Sequence, residues 1–177
     1  MKKIIFFFLI FLVNFKRLNA NEIKFEEVYK GLDSPWSISF VNNESIILTE
    51  KSGNLLYLDL IRKKIKKIKH NLNILNDGQG GLLDVIYKDQ NVYVSFSENR
   101  GNNHSSTSVA KGKFDKDAIF FKNIFRAEPA INSGYHFGSR LVIKGNKIFI
   151  TAGERGKGMI AQDPTKHPGS IIRVNID

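Results

Sequence analysis

The feature that most constrains the fold of this sequence is a succession of short apolar segments, most of them separated by clusters of Gly, Asn, Asp or Ser. Beyond residue 22, no window keeps an apolar stripe at the 3.6-residue period of an α-helix. Many short strands joined by glycine-bearing turns are typical of a β-sandwich, a β-barrel or a β-propeller, so we predict an all-β protein. The predicted strands are 36–40, 45–50, 54–60, 82–87, 91–97, 118–125, 140–144, 147–153 and 170–176.

A weak internal repeat favours the propeller among these architectures. Segments 37–60, 82–98 and 138–156 each contain a strand, a polar turn, a second strand and a polar corner. Their second strands are spaced by about 45 to 55 residues, which is the length of a four-stranded propeller blade. Residues 21–177 therefore hold roughly three blades, and propellers have about four to eight. We expect a partial propeller domain, truncated at its C-terminal end.

The N-terminus has the pattern of a secretory signal peptide. Lys2 and Lys3 precede an unbroken apolar run over 4–13, which is too short to span a membrane and has the length of a signal-peptide core. A polar stretch then ends at Ala20, where we expect cleavage. This predicts a signal peptide over 1–20, a periplasmic or secreted protein, and no membrane attachment after cleavage. An uncleaved N-terminal anchor is the alternative.

The formal charge of +10 raises the question of a nucleic-acid partner. Loss of residues 1–20 would remove four basic residues and no acidic ones, which leaves +6. Six more cations lie between residues 62 and 69, with no aromatic residue among them. Because single-stranded nucleic-acid sites combine cations with stacking aromatics, we predict instead a β-hairpin that turns near 62–64 with solvated lysines. We expect no nucleic-acid partner.

Several classes of site are excluded by composition and spacing. The sequence has no Cys, so it holds no disulfide scaffold, thiolate zinc site, iron–sulfur cluster or Cys nucleophile. No Gly-x-Ser-x-Gly elbow, P-loop or dinucleotide fingerprint is present. The histidines have no zinc-type spacing, and we predict no metal site in this chain. The four histidines are His70, His104, His136 and His167.

Three segments carry more polar chemistry than the body of a blade requires. They are DGQGGLLDV (77–85), NSGYHFGSRLV (132–142), and TAGERG (151–156) with the following AQDPTKHPGSIIRVN (161–175). Each lies at the end of a predicted strand, where the loops of a propeller surround the mouth of its central channel. We therefore expect a ligand site there.

The candidate site residues in these segments are Gln79 and His136, with Glu154 and Arg155 as channel-mouth residues. Each also has an ordinary structural interpretation. Gln79 could cap a turn, His136 could be a structural hydrogen-bonding residue, and the other two could form a solvated ion pair.

Seven segments, in this order, resemble the PQQ-dependent soluble aldose sugar dehydrogenases, which belong to the glucose/sorbosone dehydrogenase family. They are GLDSPWSISF, LTEKSGNL, DGQGGLLDV, VYVSFSE, IFRAEP, YHFGSRLV and AQDPTKHPGSIIRVN. The resemblance runs from about Phe25 to Asp177. It implies a six-bladed β-propeller with PQQ and sugar over the central channel. Full members of the family are much longer, so this chain resembles their N-terminal half, roughly the first three blades.

The resemblance also implies roles for single residues. His136 matches the general base that removes the proton of the anomeric hydroxyl while hydride passes from C1 to PQQ. Gln79 matches a glutamine that hydrogen-bonds the sugar. Glu154 stands where relatives have an acidic residue, usually Asp, and Arg140 is interpreted as structural. Residue 135 is Tyr where relatives usually carry Asn or Asp, and we interpret Tyr135 as a substrate-binding residue that alters sugar selectivity.

The cofactor site is expected to be incomplete in this chain. PQQ and calcium are both implied by the resemblance, but the family's PQQ-binding cations and calcium ligands lie in the second half, and none of those motifs occurs here. We therefore leave the cofactor-binding residues unassigned and expect the chain alone to be inactive. The implied substrate is an aldose, the electron acceptor is unassigned, and a homodimer is possible for the full-length protein.

Two other functions remain open on the sequence. The first is a non-enzymatic β-propeller that binds a carbohydrate or a protein. The second is a calcium-dependent lactonase-type hydrolase, which would need a carboxylate-rich channel, whereas the motifs here offer mostly Gln, His and Arg.

Overall fold

The computed structural model describes residues 23–176, and the predicted signal peptide lies outside them. Twelve strands and one 3₁₀ turn form the regular structure of these residues, which confirms the all-β prediction. The strands are β1 (Pro35–Asn42), β2 (Ser45–Glu50), β3 (Leu55–Asp59), β4 (Lys64–His70), β5 (Leu82–Lys88), β6 (Asn91–Asn99), β7 (Ser105–Lys113), β8 (Ala118–Ile119), β9 (Lys122–Arg126), β10 (Gly138–Lys144), β11 (Lys147–Ala152) and β12 (Ile171–Asn175); the 3₁₀ turn is Gly158–Gln162.

The strands form three sheets that follow one another along the chain. The sheet that we call blade 1 has the order β1-β2-β3-β4, with β8 added parallel to β4. Blade 2 has the order β5-β6-β7-β9, and blade 3 the order β10-β11-β12. The second strands of the three blades are β2, β6 and β11, so the predicted repeat corresponds to the blades. The predicted hairpin is also confirmed, because β3 and β4 pair antiparallel around the turn.

Apolar side chains between the blades form the core. Because burying one Leu, Ile or Phe side chain contributes about 1.5–3 kcal/mol, these two interfaces hold the sheets together. Between blades 1 and 2 lie Ile47, Leu55, Ile68, Leu82, Val85, Val92, Val94, Phe96, Ala110, Ile119 and Phe121. Between blades 2 and 3 lie Tyr93, Val109, Leu141, Ile148, Ile150 and Ile176.

A single buried carboxylate joins the first strands of all three blades. Asp84 on β5 accepts a hydrogen bond from Ser37 Oγ of β1 at 2.5 Å. It also accepts one from the backbone N–H of Leu141 on β10 at 2.8 Å, and Arg140 Nη1 lies 3.3 Å away. These contacts support the structural interpretation of Arg140. They also keep the strand ends that carry the polar motifs close together.

Two sheet faces are covered only in part by the described residues, and on blade 1 the segment 29–32 packs on one of them. On blade 1, Ile38 and Phe40 are exposed beside an apolar groove of about 650 Å³. On blade 3, Val142 and Ile171 are exposed. Exposed apolar side chains therefore remain on the first and third blades.

Candidate functional site

Three loops meet at one end of the sheets, and we call them together the mouth loops: loop A (77–81), loop B (132–137) and loop C (153–157). Loop A precedes β5, loop B precedes β10, and loop C follows β11. The backbone N–H of Gln79 donates to Gly134 O at 2.7 Å, which joins loop A to loop B. The structure thus brings together the three segments that the sequence analysis selected.

Glycines allow this close approach. A Cβ on Gly153 would lie 2.0 Å from the carbonyl oxygen of His136, and a Cβ on Gly78 would lie 2.4 Å from that of Gly134. Real Cβ atoms do not approach backbone atoms so closely. The N–H of Gly153 donates to Phe137 O at 3.0 Å, which joins loop C to loop B. Loop B is therefore packed between its two neighbours at backbone level.

His136 lies at the centre of this arrangement with a left-handed backbone, at φ +49°. Such a conformation is uncommon outside glycine, and residues held there cost on the order of 1–3 kcal/mol and cluster at functional sites. The side-chain Oε1 of Gln79 accepts the N–H of His136 at 2.8 Å and helps to hold this conformation. Two of the predicted site residues are thus in direct contact.

The imidazole of His136 is paired with a carboxylate. Its Nδ1 is hydrogen-bonded to Glu154 Oε1, which also accepts the N–H of Gly156 at 3.0 Å. The hydrogen bond from His136 is the main reason why the pKa of Glu154 lies below its usual value. Because an ionised carboxylate can only accept, Nδ1 carries the hydrogen and Nε2 of the neutral ring is left as an acceptor.

Groups that can bind a hydroxylated ligand lie near His136. Among residues 23–176, His136 Nε2 and the amide nitrogen of Gln79 have no hydrogen-bond partner. Tyr135 is 61% exposed, and its ring centroid lies 6.2 Å from that of His136. An unpaired ring nitrogen, an amide donor and an exposed aromatic face therefore belong to neighbouring residues of the mouth loops.

Arg155 differs from its predicted position. The sequence analysis placed it at the channel mouth, whereas its side chain is only 2% exposed and lies beneath loop B. Burial lowers the pKa of its guanidinium to about 10. Arg155 is therefore neither an exposed residue of the channel mouth nor a partner of Glu154 in a solvated ion pair.

Two residues of this region were missed by the sequence analysis. Asp84 lies inside the 77–85 motif, and a carboxylate within an apolar strand was a usable signal because buried charges need partners. Ser105, at the start of β7, accepts hydrogen bonds from Arg155. Nothing in its Ser- and Thr-rich surroundings distinguished it.

The charged groups of the mouth loops bear on the implied cofactors. PQQ is a tricarboxylate, and of the two cations in these loops Arg155 is buried and Lys157 alone is exposed. The mouth loops therefore fit a sugar hydroxyl but do not supply the set of cations that PQQ would need. Within the described part of the chain, no group of three or more His, Asp or Glu side chains could hold a metal ion.

No helix among residues 23–176 is long and apolar enough to cross a membrane.

Sheets of antiparallel strands that follow one another around a polar mouth define a β-propeller type of protein. A sequence model of the glucose/sorbosone dehydrogenase family matches residues 32–177. The chain belongs to this family, as the sequence motifs implied.

Individual relatives agree with this assignment. The chain is 29% identical to aldose sugar dehydrogenase YliI of Escherichia coli K12 over 162 aligned positions, and the match covers 86% of this chain and 44% of that protein. It is 27% identical to the protein slr1608 of Synechocystis over 192 aligned positions, and this match covers 93% of this chain and 46% of that protein. The chain thus spans about half the length of these relatives.

Solved structures have the same fold. The apo form of the soluble aldose sugar dehydrogenase from Escherichia coli matches 85% of this chain and 46% of its own, with a TM-score of 0.80 and 28% identity. A glucose dehydrogenase matches 85% and 50%, with a TM-score of 0.80 and 30% identity. The aldose sugar dehydrogenase from Streptomyces coelicolor, at 20% identity and a TM-score of 0.74, matches in fold.

Proposed function

We propose that this protein takes part in the PQQ-dependent oxidation of an aldose at C1, which yields the lactone. The observation that carries the proposal is the pairing of His136 Nδ1 with Glu154, which leaves Nε2 free, on a residue whose backbone N–H is held by Gln79. This is the arrangement of a general base that is oriented by a carboxylate. The names of the relatives, aldose sugar dehydrogenase and glucose dehydrogenase, support the substrate class.

The residues of this chain would bind the sugar and move one proton. The amide of Gln79 donates to a sugar hydroxyl, and the exposed ring of Tyr135 stacks against the apolar face of the sugar. His136 Nε2 accepts the proton of the C1 hydroxyl, and the carboxylate of Glu154 stabilises the imidazolium that forms.

The redox partner in this proposal is PQQ, which would supply the acceptor for the hydride. The Streptomyces coelicolor relative is described in a PQQ-bound form. We assign the cations for the PQQ carboxylates, and the calcium ligands, to residues outside the mouth loops.

Reconstitution of the full-length protein tests the proposal. The protein is incubated with PQQ and Ca²⁺, and an artificial dye is added with a panel of aldoses; the same protein without PQQ is the control. We expect dye reduction only when PQQ and an aldose are both present. PQQ binding without dye reduction by any aldose would contradict the proposal.

A carbohydrate-binding propeller without enzymatic activity is the second candidate. It is favoured by the mouth loops themselves, which offer sugar-binding groups and few cations. Calorimetry with the same aldoses separates the two functions, because this candidate requires binding without PQQ and no turnover with it.

We also propose export to the periplasm or the medium, without a membrane anchor. The basic start and the apolar run over 4–13 support this. The intact mass of the exported protein should correspond to a chain that begins at Asn21, and a mass that includes 1–20 would contradict soluble export.

A further inference from the structure

We propose that Arg155 is a positioning residue that holds loop B so that His136 keeps its proton on Nδ1. The inference rests on the proposed function for its importance, but its geometry and its test are independent of turnover. Arg155 touches neither the imidazole with its side chain nor the open mouth. It acts through the backbone on both sides of Tyr135.

The guanidinium of Arg155 makes its hydrogen bonds almost entirely to loop B and to the start of β7. Nε donates to Tyr135 O at 2.9 Å, and Nη2 donates to Ser133 O. Nη1 donates to Ser105 O at 2.9 Å, and Nη2 donates to Ser105 Oγ at 3.0 Å. The group also lies 3.6 Å from the ring centroid of Phe137. One side chain therefore joins loop B to the neighbouring blade.

The backbone of loop C continues the same pattern. The N–H of Arg155 donates to His136 O at 3.3 Å, and Gly153 N–H donates to Phe137 O. Glu154, which lies between these two residues in the sequence, is hydrogen-bonded to the imidazole of His136. Loop C thus contacts loop B at three successive residues. The side chain of Arg155 contacts loop B from its buried side.

A buried cation with this surrounding is unusual. Among the described residues, no carboxylate lies within ion-pair distance of Arg155. Buried charges are normally paired, and here carbonyl oxygens and an aromatic face take that role. A lysine could not replace the guanidinium, because an ammonium group has three donors and no planar fork. The planar fork of the side chain fits these acceptors.

The left-handed backbone of His136 explains why such support is needed. At φ +49° this residue would relax toward an ordinary conformation if its flanking carbonyls were released. The ring would then move away from Glu154 Oε1. Free imidazole favours the tautomer with the proton on Nε2, and in that tautomer the nitrogen that faces the substrate cannot act as a base.

The tautomer of His136 is the direct readout. The full-length protein is labelled with ¹⁵N-histidine, and the ring nitrogens of His136 are assigned by their loss in His136→Gln. In the wild type we expect one species above pH 8, with the hydrogen on Nδ1. In Arg155→Lys we expect most of the population to shift to the Nε2–H form. Arg62→Lys, at an exposed turn of blade 1, is the matched control and should leave the spectrum unchanged.

Outcomes of this experiment separate positioning from stability. A folded Arg155→Lys that keeps the single Nδ1–H form, with only a lower melting temperature, would overturn the proposal. If Arg155→Lys does not fold, Ser105→Ala is measured instead, because it removes one acceptor and keeps the guanidinium. We then expect a smaller shift toward Nε2–H, and an unchanged spectrum would likewise overturn the proposal.

Turnover gives a second, separate measurement. Where the loaded enzyme oxidises aldose, Arg155→Lys should lower kcat at least tenfold with a smaller change in KM, since the base rather than the sugar contacts is disturbed. A tautomer shift in a protein that never oxidises aldose would leave the positioning role intact and refute the proposed function alone.

Discussion

The mouth loops and the basic hairpin of β3 and β4 are both polar ends of blades, but they are built in opposite ways. In the hairpin, Lys64, Lys66 and Lys67 lie in solvent, and the ion pair of Arg62 with Asp59 is on the surface. In the mouth loops, the charged group with the most hydrogen bonds, Arg155, is buried. The hairpin carries more cations than the mouth loops, and the mouth loops make more hydrogen bonds to other segments.

This difference shows which polar segments constrain their neighbours. The solvated lysines of the hairpin can be substituted without moving another strand, because exposed ion pairs contribute little to the stability of the fold. A change in the mouth loops alters backbone that two other loops contact, through Gly153 and through Gln79. Charge density is therefore a poor guide to the functional end of this molecule. Four substitutions test the contrast.

Replacement of the base should have the largest effect. In the reconstituted full-length enzyme, His136→Ala should lower kcat by about 10²–10⁴-fold, since a positioned general base contributes that much to the rate. Sugar binding should change less, because Gln79 and Tyr135 remain. His104→Ala, in the exposed turn between β6 and β7, is the control. Near-normal turnover in His136→Ala would make this residue structural.

Closing the gap between loops B and C comes next. Gly153→Ala would place a Cβ 2.0 Å from the carbonyl of His136, and such overpacking costs roughly 1–3 kcal/mol. We expect a lower urea midpoint and a loss of activity. Gly145→Ala, which has open space around its Cβ, controls for the residue change but carries a positive φ. If Gly153→Ala lowers the urea midpoint no more than Gly145→Ala does, loops B and C are not in close contact at this position.

The Glu154 carboxylate should make stability depend on pH in the acid range. Its pKa is lowered in the folded protein, so its contribution is present above about pH 4.5 and is lost as the pH falls through the folded pKa. The difference in melting temperature between wild type and Glu154→Gln should therefore shrink between pH 5 and pH 3. A difference that stays constant or grows over this range would rule out the depressed pKa.

The smallest effect is expected in the hairpin. Lys66 pairs with Asp117, and both side chains are at least half exposed. Lys66→Ala should change the unfolding free energy by less than about 1 kcal/mol, and less still in high salt. Turnover should be unchanged. A large loss of stability would show that the hairpin is as constrained as the mouth.

The fold could be predicted where burial depends on apolar side chains. β2 was predicted over 45–50 with the bounds that the structure has, because its apolar residues lie between clear turns. No strand was predicted over β7, since Ser105, Ser106, Thr107 and Ser108 are buried through hydrogen bonds rather than apolarity. Hydroxyl-rich strands of this kind do not show in an apolar pattern.

One predicted strand proved to be two. The segment 118–125 is divided between β8, which pairs with blade 1, and β9, which belongs to blade 2. Between them, Asn71 accepts the N–H of Phe121 at 2.8 Å and donates to its carbonyl at 3.1 Å. Phe121 is thus fixed between the two sheets by a residue 50 positions away, which local sequence cannot reveal.

The sequence allowed most residues of the candidate site to be predicted, but not the contacts that they make. His136, Gln79 and Glu154 lie in motifs with glycines, and the structure brings them together. The burial of Arg155 could not be predicted, because its acceptors are mostly backbone carbonyls, which every residue has. The pattern of side chains alone does not distinguish such an arginine from a solvated one.

The buried carboxylate of Asp84 has a consequence for how this molecule can change over generations. Repeat architectures usually gain or lose units by duplication, because each unit meets only its neighbours through similar surfaces. Here one side chain of the middle unit holds Ser37 of the first and Leu141 of the third. The three units are therefore no longer interchangeable, and removing or copying the middle one would leave polar groups without partners.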